Sequence, residues 1–157
     1  MADHKDAQTV LELQLRDMMK NSTKVAFQLA SPANRRATAA DFRGGNHNWD
    51  RFDAMVRNPV YSPLLHAHRY AIAPAGPGRF DVVLFSSDGA VVGAYAFGMS
   101  VQTEEDRHPS LAPYDLPKDS GYWRTDSVVP LSPGQVVRVM DAVGEVERVG
   151  KAAAQAA

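Results

Sequence analysis

Two histidines are the residues best suited to chemistry in this sequence. His66 and His68 lie two positions apart in the run 64–73, which alternates as a β-strand does. Residues two apart on a strand project from the same face, so both rings could bind one zinc ion or line one pocket. The other side chains that could complete a metal site are Asp81, Asp126 and His108. Nothing selects one of these, so we expect no metal. The pair then either lines a pocket or is merely half-buried.

Polar residues within apolar strands form a second set of candidates. Tyr70, Asp81 and Tyr95 interrupt apolar runs, and Arg124 and Asp126 do so in the last predicted strand. Such a group could act as an acid or a base if burial shifted its pKa. For Asp81, an ion pair with a nearby arginine, such as Arg69 or Arg124, is the simpler interpretation. The residues predicted to line a pocket are His66, His68, Tyr70, Tyr95, Trp123 and Arg124.

A long polar connection, residues 104–120, separates the last two predicted strands. Three prolines stiffen it, and it exceeds the usual length of a structureless loop. It is interpreted as a flap or recognition loop, or alternatively as a surface excursion. Its acidic run 104–106 and His108 are interpreted as solvated, because consecutive residues do not converge on one cation without an unusual backbone.

A small group of basic residues lies nearer the N-terminus. Arg35 and Arg36 are adjacent in a polar predicted helix, with Lys24 and Arg43 close by in the sequence. They could bind a phosphate or an acidic partner. A solvated helix face is the simpler interpretation.

Composition excludes several classes of function. The chain has 157 residues, a net charge of −1 and no cysteine. Disulfides, thiolate nucleophiles and cysteine-bound zinc are therefore excluded, and the balanced charge argues against nucleic acid or anionic membrane as a partner. No phosphate-binding glycine loop, nucleophile elbow or catalytic triad pattern occurs, so we expect no cofactor. No membrane span and no signal peptide is recognised, which predicts a soluble intracellular protein, in the cytoplasm or in an organelle lumen.

Helical signals dominate the first part of the chain. Residues 7–20 carry an apolar stripe with Asp6 as N-cap, and 23–30 predict a second helix that Ser22 could cap and Ser31-Pro32 ends. Two more helices are predicted over 32–42 and 48–57. At the other end, Ser132 and Gln135 form a capping box that predicts a terminal helix over 132–149, followed by a frayed tail, 150–157.

The middle of the chain predicts a β-hairpin. Residues 79–86 and 90–101 alternate as strands, and Asp88-Gly89 suits the two-residue loop of a type I′ turn. That register places Val82 opposite Tyr95 and Phe80 opposite Phe97 on a bulky face, which also holds Leu84, Val91 and Met99. The smaller face is apolar as well and is the predicted dimer surface. Its residues are Val83, Phe85, Val92, Ala94 and Ala96.

These elements predict one domain of the α+β class. N-terminal helices cover the bulky face of a four-stranded antiparallel sheet, whose outer members are the runs 64–73 and 121–129. A sheet with two apolar faces needs a cover on each side. The second cover is either a partner chain or the terminal helix. The core of the domain is predicted to span residues 7–131.

Several short motifs resemble, in the same order, a family of domains of unknown function. They are Gln14-Leu15, Ala26-Phe27 with Ala30-Ser31-Pro32, Phe52 with Met55-Val56 and Tyr61, and Trp123-Arg124. That family is similar to the nuclear transport factor 2-like (cystatin-like) superfamily. The resemblance implies a cone, in which a curved sheet wraps around N-terminal helices and which is often dimeric through the sheet. It implies no catalytic residue.

Two functions follow from these observations. The first is a non-catalytic module that binds an unknown small molecule or protein and associates through its sheet as a homodimer. The alternative is a small lyase or isomerase that uses a cone-shaped pocket, since the superfamily includes such enzymes and fold does not choose among its activities. The absence of a recognisable catalytic set favours the module.

Overall fold

The computed structural model describes residues 6–39, 49–103 and 121–156, with side chains of the last helix described up to Gly144. Within these ranges, five helices precede the sheet: α1 (Ala7–Met18), α2 (Lys24–Leu29), α3 (Pro32–Ala39), α4 (Trp49–Val56) and α5 (Pro63–His66). The strands are β1 (Arg69–Gly76), β2 (Arg79–Phe85), β3 (Val91–Val101) and β4 (Trp123–Pro130), and α6 (Pro133–Ala156) follows.

The four strands form one antiparallel sheet in the order β1-β2-β3-β4. This confirms the predicted α+β class, with a four-stranded antiparallel sheet and a terminal helix. The predicted connection 104–120 and the end of the predicted third helix lie outside the described residues, as does His108.

Local capping signals account for two helix starts. The Asp6 carboxylate accepts the backbone N–H of Gln8 at 3.0 Å, which confirms the predicted N-cap of α1. In the capping box, the Ser132 N–H donates to the Gln135 side chain at 2.8 Å and the Gln135 N–H donates to the Ser132 hydroxyl at 3.3 Å. At α2, however, Thr23 rather than Ser22 occupies the N-cap position.

The first strand begins later than predicted, because residues 63–66 form a helical turn. Pro63 takes the first helical position, which its fixed φ favours. The consecutive Leu64 and Leu65 are both buried in one and the same core, whereas consecutive residues of a strand point to opposite faces of the sheet. The prediction that His66 and His68 share a strand face is therefore wrong. His66 ends α5, and His68 precedes β1.

The β2–β3 hairpin has the predicted pairs but a different turn. Val82 pairs with Tyr95 and Phe80 with Phe97, as predicted. The turn runs from Ser86 to Gly89, and only Gly89 has a positive φ, +88°, whereas a type I′ loop needs two such residues. The longer turn is accompanied by a bulge, so that Phe85 pairs with Val91 instead of Val92. Val91 is consequently 45% exposed and does not join the larger core.

The two faces of the sheet carry two separate cores. The larger core packs α1, α2, α4 and α5 against the bulky sheet face, including the buried Val82, Leu84 and Phe97. The smaller core lies on the other face, where Val139 of α6 packs with Val83, Phe85 and Ala94. The helical backbone of α6 continues to Ala156, beyond the predicted end at residue 149. Among the described residues, no helix is long and apolar enough to cross a membrane.

Candidate functional site

A cavity of about 80 Å³ lies between the N-terminal helices and the bulky sheet face. A water molecule needs only about 10–15 Å³ by the same measure, so the space admits more than one water. Most of the wall is apolar. The apolar part includes Met18, Ala26, Phe52, Val56, Leu64 and Phe97.

The cavity is closed on one side by a helix-to-sheet hydrogen bond. Gln14 of α1 donates from Nε2 to the Thr125 hydroxyl at 2.7 Å, and that hydroxyl lies 3.1 Å from Gln14 Oε1. Gln14 also contacts the Val10 carbonyl at 3.3 Å, so its amide nitrogen is engaged twice. Both residues are buried, at 2% exposure. These polar groups are therefore satisfied within the fold and hold α1 against β4.

Two polar residues of α3 complete the polar wall. Asn34 donates from Nδ2 to the Thr125 carbonyl at 3.0 Å, and the Thr38 hydroxyl donates to the Asn34 carbonyl at 2.8 Å. Both side chains are half-buried and line the cavity. No described residue donates a hydrogen bond to the Asn34 side-chain oxygen, and the Thr38 hydroxyl keeps lone pairs that can accept. This corner can therefore accept hydrogen bonds from a bound molecule.

Two stacked tyrosines lie at the sheet side of the cavity. The rings of Tyr61 and Tyr95 are 6.0 Å apart and 23° from parallel. Tyr61, which lines the cavity, donates its hydroxyl to the Val128 carbonyl at 3.0 Å. Tyr95 donates to the Val60 carbonyl at 2.6 Å, and burial, with a smaller contribution from Tyr61, raises the pKa of Tyr95 to about 12. Both phenols thus donate to backbone carbonyls, and these hydrogen bonds hold the rings in place.

None of the six predicted pocket residues lines this cavity. His66 and His68 are exposed. Tyr70 donates to the Glu12 carboxylate at 2.8 Å, and burial raises the pKa of Tyr70. Trp123 instead packs at the margin of the larger core.

Two arginines are more deeply placed than their sequence context suggests. Arg124 is 1% exposed, donates to the Trp123 carbonyl at 2.9 Å and lies over the Tyr122 ring at 5.6 Å. Arg35 is fully buried, whereas Arg36 is exposed, so the prediction of a solvated or basic surface pair is wrong for Arg35. Successive residues of a helix point about 100° apart, and α3 contacts both α4 and β4. One arginine of the pair therefore points inward.

The chemistry of the cavity is that of hydrogen bonding and apolar contact. Its described lining contains no carboxylate, imidazole, amine or guanidinium group. Within the described ranges, no cluster of three or more histidine, cysteine, aspartate or glutamate side chains could hold a metal ion. The described wall therefore offers no strong acid–base pair and no metal centre.

The predicted dimer surface divides into a covered and an uncovered part. Val83, Phe85 and Ala94 lie beneath α6 of the same chain, packed by Val139. Val92 is 40% exposed and Ala96 is half-buried. Contact with a second chain through this surface stays a prediction. Because α6 covers part of the surface, such a contact would use the part that α6 leaves uncovered.

Sequence reasoning missed the polar residues that line the cavity. Gln14 lies within the buried stripe of α1, between Leu11 and Leu15. Asn34 and Thr38 are spaced i, i+4 and therefore share one face of α3. The position of Gln14, a polar residue within an apolar stripe, is the signal by which the sequence could have identified it. Nothing in the sequence alone brings α3 beside Thr125, because that contact joins residues 91 positions apart.

Comparison with known proteins identifies no relative: no family model, no curated protein and no solved structure matches this chain.

Proposed function

We propose that this protein is a non-catalytic module that binds a small, uncharged and largely apolar molecule in the cavity between its helices and sheet. The observation that supports this most strongly is the composition of the wall. Apolar side chains surround a short polar edge made by Gln14, Asn34, Thr38 and Thr125, and the described lining contains no charged group. Small-molecule sites have this pattern, because apolar contact supplies affinity and a few fixed polar groups supply orientation.

The alternative, a small lyase or isomerase, receives less support. Such a reaction needs a group that takes or gives a proton at the reacting atom. Tyr61 is the titratable side chain in the described lining, and its hydroxyl already donates to the Val128 carbonyl. None of the described polar or titratable candidates from the sequence lines the cavity; they are His66, His68, Tyr70, Asp81, Tyr95, Arg124 and Asp126.

We also propose the cone of the nuclear transport factor 2-like (cystatin-like) superfamily as the fold. Its support is the order of elements, with helices first and a four-stranded antiparallel sheet after them. A second support is the cavity between those helices and the bulky sheet face.

Association through the smaller sheet face is proposed for the half of that face formed by β3 and β4, with a second copy as the partner. Val92 and Val129 are 40% and 55% exposed there, whereas α6 covers β1, β2 and Ala94 of β3. A valine patch can meet its own copy across a two-fold axis, since such an interface uses the same surface twice.

The binding proposal is tested with cyclopentanol as an uncharged probe and cyclopentylamine as its charged counterpart. We expect cyclopentanol to shift the backbone amide signals around Asn34 and Thr125 in a saturable manner in NMR spectra of the labelled protein. Cyclopentylamine is expected to bind at least about 10-fold more weakly, because its ammonium group would lose hydration without a counter-charge. Equal binding of both probes, or none of either, would overturn the proposal.

A further inference from the structure

A second cleft lies on the opposite side of the sheet, between α6 and the strands β1 and β2. It encloses about 230 Å³ and is more open than the cavity described above. Its walls combine small apolar residues with two opposite charges, Asp81 from β2 and Arg138 from α6.

Asp81 faces this cleft because of its position in the strand. Neighbouring residues of a strand point to opposite faces, so Asp81 points away from the face of Val82. It shares the face of Val83 and Phe85, which α6 covers. Its neighbours across β1 and β3 are Ala73 and Ala96, whose short side chains leave space around the carboxylate. Asp81 as a whole residue is half-buried.

The two charges share the cleft without forming an ion pair. No nitrogen of Arg138 lies within 4.0 Å of an Asp81 carboxylate oxygen, and no described residue forms an ion pair with either side chain. The lining of the same cleft also includes Pro74, Val139 and Ala142. An anion and a cation that line one cleft without pairing, together with apolar side chains, match a molecule that carries both charges and a short apolar group.

Gln135 adds a polar group at the same cleft. Its side-chain oxygen accepts the Ser132 N–H at 2.8 Å as part of the capping box, which fixes the amide. Gln135 lines the cleft, and its amide nitrogen is a donor suited to a carboxylate next to Arg138.

We propose that this cleft binds a small zwitterion, an amino acid with a short apolar side chain. Its ammonium group contacts Asp81, its carboxylate contacts Arg138, and its side chain packs against Val139 and Ala142. Charge-assisted hydrogen bonds of this kind are the strong ones in protein sites. This site is separate from the cavity on the helix side and does not depend on the function proposed for it.

The test uses L-valine and its two single-charge analogues, isobutylamine and isovalerate, with the full-length protein. NMR titration is expected to give saturable shifts around Asp81 and Arg138 with L-valine. Each analogue is expected to bind at least about 10-fold more weakly, since each loses one charged contact. Equal binding of an analogue, or no saturable shift with L-valine, overturns the proposal.

Matched variants separate binding from a structural role. Asp81→Asn and Arg138→Gln are each expected to weaken L-valine binding by about 10-fold or more, with little change in Tm. Asp141→Asn, on an exposed position of α6, and Arg36→Gln, on α3, are the controls and retain the affinity. If Asp81→Asn and Arg138→Gln lower Tm while L-valine binds none of the proteins, the two charges only hold α6 on the sheet, and the proposal is wrong.

Discussion

Gln14 in α1 and Thr125 in β4 are joined inside the core, with both polar atoms of the Gln14 amide within 3.1 Å of the Thr125 hydroxyl. The residues are 111 positions apart in sequence, and this contact forms part of the cavity wall. It therefore links the first helix, the last strand and the candidate binding site. It also ties the stability of the fold to the shape of the cavity.

Removing either partner is expected to destabilise the protein more than removing both. Thr125→Val leaves the buried Gln14 amide without its main partner, which costs about 1–3 kcal/mol. In the double variant Gln14→Leu/Thr125→Val, the second substitution removes the group left unsatisfied by the first. Urea unfolding of the wild type, Gln14→Leu, Thr125→Val and the double variant measures the coupling free energy between the two side chains. We expect it to be about 1–2 kcal/mol. Strictly additive losses would show that the two side chains do not interact.

The pKa of Tyr95 predicts a window of alkaline sensitivity. Folding raises this pKa from an ordinary 10.0 to about 12, so the folded protein holds the phenol proton more tightly than the unfolded chain. The resulting stabilisation is complete below about pH 10 and declines as the pH rises toward 12. Tyr95→Phe removes this contribution and also the hydrogen bond to Val60, which lowers stability by about 1 kcal/mol at neutral pH.

The measurement for Tyr95 is the ultraviolet titration of its phenol. The wild-type spectrum should show one ionisation step near pH 12 that Tyr95→Phe lacks and that Tyr122→Phe retains. A wild-type protein in which every tyrosine ionises near pH 10 would contradict the burial of this hydroxyl.

Two neighbouring valines of α6 test how the helix packs on the smaller sheet face. Val139 is 5% exposed and contacts the core formed by Val83, Phe85 and Ala94, whereas Val137 is 60% exposed. Val139→Ala should lower the free energy of unfolding by about 1–2 kcal/mol, because the loss of two buried methyl groups outweighs the slight gain in helix propensity. Val137→Ala should be neutral or slightly stabilising. Similar effects of both substitutions would mean that α6 does not lie on this face as described.

Much of the sheet was predictable because its side chains alternate. The pairs Val82–Tyr95 and Phe80–Phe97 follow from strand periodicity and a nearby turn signal, and they occur as predicted. The capping box of Ser132 and Gln135 was equally local, since both its hydrogen bonds join residues three apart. Features of this kind depend on residues that are close together in the chain, so they can be predicted from one sequence.

The turn and the start of the first strand were not predictable by the same means. Asp-Gly suits more than one hairpin loop, and the chain uses a longer turn in which only Gly89 is left-handed. Residues 64–66 fit a strand by composition, but Pro63 and the burial of both leucines give a helical turn. In both places the outcome depends on how the segment packs against the rest of the fold.

The candidate site was the least predictable part, because it is assembled from distant residues. Asn34 reaches Thr125 only because α3 packs beside β4, where the Ser31 N–H donates to the Thr125 carbonyl at 2.8 Å. Tyr61 lies in the connection between α4 and α5, and the sequence marks it only through the family resemblance. Conversely, His66 and His68 were predicted to line a pocket because of their residue type and spacing, yet both residues are exposed.

The uncovered half of the smaller face predicts a concentration-dependent dimer. Val129→Arg should shift the protein to monomers in multi-angle light scattering, because a desolvated charge would lie in the valine patch. Val60→Arg is the matched control, since Val60 is similarly exposed, at 53%, and lies before α5. A wild-type protein that is monomeric at high concentration would rule out this interface.

The central claim is that the cavity between the helices and the sheet binds a ligand, and filling that cavity tests it most directly. Ala26→Leu places a larger side chain in the cavity wall, and Ala54→Leu adds the same atoms to the exposed face of α4. NMR titration with cyclopentanol should give wild-type affinity for Ala54→Leu and at least about a 10-fold loss for a folded Ala26→Leu. Undiminished binding by Ala26→Leu would contradict the assignment of this cavity as the binding site.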